Sequence, residues 1–272
     1  MGLFTPNFTK EGKGVYKDTP EKNRFFLFFE LFFGHFSKLI CVNFVYFFTM
    51  LPLFLGVYLS VDFKTFPFKF TGDIVGLICM VVSVFTSFPM TAGFTYVIRN
   101  MQRREHAWII RDMFKHAKEN YWKTVANGAV QILAYIILYI AFITYRTTVG
   151  GQIGFFLSFV VLAITLFFVW MQFYMNTMIV TFDLKLSQIY KNAAIFSIIK
   201  LPLNLFISVV CCAFTLVVCS YFTIYLNVIL LALIYLSLYG FFTVYCIYPA
   251  IDKNMIAKSR ETEPDTDAEV QQ

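Results

Sequence analysis

Side chains suited to metal binding or acid–base catalysis are few in this 272-residue chain: three His, six Cys and sixteen Asp or Glu. Cys211 and Cys212 are adjacent, a spacing open to redox or metal chemistry. No His or carboxylate stands near them to complete a zinc set. His35, His106 and His116 sit among basic and aromatic residues at the edges of apolar runs, and neither H-E-x-x-H nor G-x-S-x-G occurs. No catalytic residue, metal or cofactor is expected, and the chain does not read as an enzyme.

A second set of polar residues lies inside the apolar runs. Asn43, Thr86, Ser87, Gln131, Gln172 and Asn176 are neutral hydrogen-bonding groups, and Pro52 and Pro89 accompany them. Two arrangements suit such residues. They can bond one helix to another, at about 0.6 kcal/mol per contact. Alternatively they line a polar cavity beside the backbone carbonyls that proline frees. Ionisable groups are missing from the centres of the runs. Each would cost at least ~2.5–3.5 kcal/mol there, so their absence argues against a proton-coupled pump or an aspartyl intramembrane protease.

The elements that must hold these residues follow from the length of the runs. Hydrophobic residues make up 59% of the chain, aromatics 20% and charged residues 14%. A helix needs about 20 apolar residues to cross the hydrocarbon core, and six runs qualify: about 39–60, 73–96, 124–146, 154–181, 202–222 and 226–250. The fold class is all-α, a polytopic membrane protein with six transmembrane helices. With the N-terminus inside, nineteen Lys and Arg fall on the inner side and only Lys64, Lys69 and Arg146 outside, as the positive-inside rule requires. Both termini are therefore expected in the cytoplasm. The net charge of +6 reads as orientation and contact with anionic headgroups, not as a nucleic-acid surface. All six cysteines fall in or beside spans, where a disulfide framework is not expected.

Between the second and third spans, Ala107, Ile110, Met113, Phe114, Ala117 and Tyr121 recur at helical spacing, and Arg111, Asp112, Lys115, Lys118 and Glu119 take the other face. That pattern predicts an interfacial amphipathic helix over about 105–122, with similar ones over 25–38 and 184–199. Arg99, Arg103, Arg104, Arg111, Lys115 and Lys118 form a candidate surface for a partner or for lipid. Segments starting at Phe33, Phe114 and Tyr190, 81 and 76 residues apart, resemble one another. They allow three units, each an amphipathic helix and a hairpin of two spans, with His35 and His116 as equivalents; shared interfacial chemistry would give much the same likeness. Residues 1–24 are polar, without a cleavable signal sequence. Residues 255–272 are acidic and expected to be disordered.

The stretch Met90-Thr91-Ala92-Gly93-Phe94-Thr95-Tyr96-Val97-Ile98-Arg99-Asn100, followed by Arg104-Glu105-His106 and Asp112-Met113-Phe114-Lys115, resembles the central signature of the YesL family of bacterial membrane proteins. Val42-Asn43-Phe44-Val45-Tyr46 and Phe182-Asp183-Leu184-Lys185-Leu186-Ser187 extend the likeness over roughly residues 30–210. Where that family often has Gly-Pro-Ala, this chain has Phe88-Pro89-Met90. The resemblance implies a multi-pass protein of the bacterial cytoplasmic membrane, associated with carbohydrate ABC importers and their sensors, with no assigned reaction. Two roles follow: an accessory or regulatory partner of carbohydrate uptake, or a transporter or channel passing a small neutral solute through a polar cavity between the helices.

Overall fold

A computed structural model describes residues 23–62, 69–71 and 73–256. The N-terminal segment before Asn23, Lys64 and the acidic tail after residue 256 lie outside the described residues. The chain is an all-α, multi-pass membrane protein. Six helices are long and apolar enough to cross a bilayer, and their outward faces carry exposed Phe, Leu, Ile and Val along most of their length.

The order is a short helix followed by two spans, three times. Helix α1 (Arg24–Gly34) precedes α2 (Phe36–Ser60) and α3 (Ile74–Gln102). Helix α4 (Ile109–Glu119) precedes α5 (Tyr121–Thr144) and α6 (Gly151–Thr181). Helix α7 (Leu186–Ile199) precedes α8 (Leu201–Tyr221) and a last span built from α9 (Ile224–Leu230), a π-helical turn (Leu231–Tyr235) and α10 (Leu236–Ile251). A two-residue antiparallel pair, β1 (Val61–Asp62) with β2 (Lys69–Phe70), joins α2 to α3 in the register Val61 to Phe70. Gly150 and Gly151 both take positive φ, +57° and +58°, a conformation costly for any side chain, in the turn between α5 and α6.

Each short helix passes into its span through one residue of nearly the same conformation. His35 has φ −114° and ψ 14°, Asn120 −102° and 14°, and Lys200 −102° and 28°. In every case its N–H closes the short helix on the carbonyl four residues back, and its own carbonyl opens the span four residues on. From His35 to Asn120 is 85 residues and from Asn120 to Lys200 is 80. The spacings of 81 and 76 read from the sequence are thus one helical turn short at each step, and His35 corresponds to Asn120, not His116. Aromatic and basic residues recur every turn along these interfacial helices, so letters alone cannot fix the phase.

Proline interrupts three spans, and two freed carbonyls find named partners. Pro89 leaves Phe85 O open, and the Tyr121 hydroxyl donates to it at 3.3 Å. Pro249 leaves Tyr245 O open, and Arg24 Nη2 donates to it at 3.2 Å. At Pro52, Ser87 Oγ bonds the neighbouring Thr49 carbonyl. These bonds tie each broken helix to an element elsewhere in the chain, as a bilayer without water demands. Packing is densest at the end bearing Arg99, called here the basic end. One cluster there joins Leu39, Met90, Phe94, Ile98, Met113 and Phe241; a second joins Tyr174, Met178, Ile179, Ile189 and Ile247.

Candidate functional site: a neutral polar cavity

A cavity of about 440 Å³ opens between α2, α3, α6, α10 and the π-helical turn. Thr91 and Thr95 of α3 are four residues apart and share a face, as do Gln172 and Asn176 of α6, with Thr177 beside them. The last span supplies Tyr235, Tyr239, Gly240 and Thr243, and α2 supplies Tyr46. The Tyr46 hydroxyl meets Thr91 Oγ1 at 3.0 Å, and its ring stacks on Phe94 with centroids 4.2 Å apart. Among the described residues, no carboxylate and no cationic side chain lines the space.

Part of the wall is unsatisfied. Gln172 Oε1 accepts from Gln131 Nε2 at 2.7 Å and from Asn127 Nδ2 at 3.2 Å, and Asn127 Oδ1 accepts from Tyr190 at 2.6 Å. Behind the cavity surface, Gln172 Nε2 and Thr177 Oγ1 are enclosed, with no hydrogen-bond partner among the described residues. A buried polar group left unpaired costs about 1–3 kcal/mol, and native structures hold few.

The six neutral residues singled out in the sequence meet five fates. Gln172 and Asn176 line the cavity. Gln131 fixes Gln172 from α5. Asn43, fully buried, holds the π-helical turn: Nδ2 donates to Leu231 O at 2.9 Å and Ala232 O at 2.8 Å, and Oδ1 accepts from Ser237 N at 2.7 Å. Those bonds replace the regular ladder where the turn widens, and Leu231 and Tyr235 of that turn belong to the cavity wall. Ser87 stitches α3 to α2. Thr86 is a correction, since it faces outward and its hydroxyl returns to Val82 O at 3.1 Å. It adjoins Ser87, and a one-residue step turns a helix by roughly 100°. Tyr46, Tyr235, Tyr239, Thr95 and Thr243 were missed. The i, i+4 pairs Thr91–Thr95 and Tyr235–Tyr239 were the available signal.

Among the cations proposed as a surface, Arg99 is a second correction. It is only 7% exposed. Its Nη1 donates to Val180 O at 2.9 Å and Thr181 Oγ1 at 3.0 Å, and Nε and Nη2 donate to Asn100 Oδ1. Val180 and Thr181 end α6, where carbonyls lack helical partners and the helix dipole favours a cation. Arg99 also lies over the Tyr96 ring, which stacks on the His116 ring with centroids 3.4 Å apart. His116 Nδ1 is 2.8 Å from Glu119. Burial pushes the His116 pKa below its ordinary 6.5, against the opposing pull of Glu119.

The other cations are at the surface. Arg103 pairs with Glu105 at 2.7 Å, and Arg104 with Glu30 at 3.4 Å. Arg111, Lys115 and Lys118 are exposed on α4. Of the expected apolar face of α4, Met113 and Ala117 are buried while Ile110 and Phe114 point outward. Among the described residues no three His, Cys, Asp or Glu side chains gather as a metal site, and the six cysteines are free thiols.

Residues 22–142, covering α1 to most of α5, match a family described as "Protein of unknown function, DUF624". No curated protein and no solved structure matches the chain.

Proposed function

We propose that the protein binds, and carries across the membrane, a small neutral polar solute in the cavity between α2, α3, α6 and α10. The observation that carries this reading is a space lined by the amide side chains of Gln172 and Asn176 and the hydroxyls of Thr91, Thr95, Tyr235, Tyr239 and Thr243, with no charged side chain among the described residues that line it. Its volume is within the roughly 300–1,000 Å³ of small-molecule sites. A solute with hydroxyl and amide groups suits these side chains, and the Tyr46 ring stacked on Phe94 suits its apolar faces. A wall free of charge disfavours ions, which would enter without a partner. The resemblance to the YesL family makes a carbohydrate the first class to try, in a bacterial cytoplasmic membrane with both termini inside.

The test is a thermal-shift screen of the purified chain against neutral sugars, polyols and amides, followed by uptake into vesicles. A solute that stabilises the native protein and not Gln172→Leu supports the reading. A full panel without a shift or flux contradicts it.

A second reading, an accessory role beside an ABC importer or its sensor, is favoured by Arg111, Lys115 and Lys118 standing exposed on one short helix beside Trp108. In-membrane photocrosslinking from Lys115 tests it; capture of lipid alone counts against it.

A further inference from the structure

A second recess, about 700 Å³ in volume, runs between α1, α8 and α10. Its wall is almost wholly apolar: Phe28 and Phe29 from α1, Phe206, Val210 and Phe214 from α8, and Phe242 from α10. Phe206 and Phe214 are also exposed, so nothing in the described chain covers this side. Along α8 the groove extends from Leu203 to Phe214. At 1.5 Å per residue that is about 16 Å, half of the ~30 Å hydrocarbon core, which is the depth reached by the acyl chains of one leaflet.

At the basic end of the groove stands one charge, Arg24. It is exposed, yet its geometry is fixed. Nη2 donates to Tyr245 O, the guanidinium lies 5.4 Å from the Tyr245 ring centroid, and the Tyr245 hydroxyl donates back to Arg24 O at 2.6 Å. A guanidinium has five N–H donors in a rigid fork matched to phosphate. Arg24 spends one of them on the described residues. An apolar trough one leaflet deep with such a fork at its mouth has the charge pattern of a phospholipid.

We propose that this groove is a binding site for a single phospholipid from the leaflet at the basic end, with an acyl chain along Phe206, Val210 and Phe214 and the phosphodiester on Arg24. The lipid completes the packing between α8 and α10 that protein side chains leave open. The site is independent of the polar cavity, although Tyr239 lines both.

The full chain is reconstituted in nanodiscs of phosphatidylglycerol and phosphatidylethanolamine carrying a trace of phospholipid with a diazirine in its acyl chain. After irradiation the labelled peptides are mapped. Label is expected to concentrate on residues 203–214 and 238–246. Val210→Trp, which fills the groove, should lower it about fivefold or more, and Leu238→Trp serves the same purpose should the first variant not melt cooperatively. Arg24→Gln should cut labelling by the phospholipid by a similar factor, the loss of a charge-assisted hydrogen bond, and spare labelling by a diazirine fatty alcohol that has no phosphate. Label spread evenly onto outward residues such as Leu133, Phe156 and Ile164, or unmoved by both tryptophans, overturns the proposal. So does capture of residues 1–22 or of a second copy of the chain in place of lipid.

Discussion

The cavity and the groove meet at Tyr239, yet their walls are opposite in kind. In the cavity, threonines, amides and tyrosines from four elements face one another, and the helices behind them are bound by hydrogen bonds from Asn43, Gln131 and Arg99. In the groove, α8 and α10 are separated by phenylalanines, and their polar contacts centre on the Tyr239 hydroxyl, which meets Thr215 Oγ1 and donates to Cys211 O at 2.9 Å. Lipid is as apolar as a leucine side chain, so burying more apolar surface gives helices little reason to associate inside a bilayer. Polar groups and close backbone approach supply that reason instead. Where such contacts are many the helices are tied together around the cavity; where they are few, an apolar space remains that lipid can fill.

The largest effect should come from breaking the close approach that backs the cavity helix α3. A Cβ on Gly93 would overlap Met113 O, so Gly93→Leu must drive α4 off α3. The expected loss is about 3 kcal/mol or more, visible as a collapsed melting temperature in detergent; a native-like melt would show that α4 is not docked there.

Next in size is Arg99→Met. Removing a buried guanidinium orphans Asn100 Oδ1 and the end of α6, at about 2–3 kcal/mol. Arg24→Met, at the exposed mouth of the groove, should lower the melting temperature far less. Equal losses would erase the contrast between the two sides.

Thr177→Val sharpens it from the other direction. The variant keeps the shape of the side chain and removes an unpaired, enclosed hydroxyl, so stability should rise by up to about 1 kcal/mol. A destabilised Thr177→Val would mean that the hydroxyl already has a partner.

The smallest effect concerns pH. His116 is held below its ordinary 6.5 mainly by burial, beside Glu119, Lys115, Asp112 and Arg99. The unfolded chain therefore takes up the proton first, and the contribution of neutral His116 is present above pH 6.5 and lost as pH falls below it. His116→Asn should melt less steeply with pH in that window, and an unchanged slope would place the titration elsewhere.

The six long apolar helices and the three short helices before alternate ones were legible because the period and length of apolar runs are properties of the chain itself. The phase of the repeat was not, since it depends on one residue per unit in a bridging conformation, and His35, Asn120 and Lys200 share no chemistry. Arg99 shows the limit of counting charges. Its place near the basic end assigns it to one side of the membrane, but burial depends on the open carbonyls of α6, 81 residues away in sequence. A clue existed in the row Thr91, Thr95, Arg99, which puts the cation on the face of α3 that carries the cavity threonines. The cavity itself was half legible: Gln172 and Asn176 stand out as amides in an apolar run, whereas its tyrosines look like any interfacial aromatic.

The central claim is that a neutral solute occupies a wetted polar cavity around Asn176, which is partly exposed on its wall. Asn176→Cys, introduced after replacing the six native cysteines, places a thiol on that wall. The account predicts modification by a small, uncharged, water-soluble thiol reagent, and protection by the solute found in the screen. A thiol that stays unmodified, or that reacts equally fast with and without every candidate solute, would contradict it.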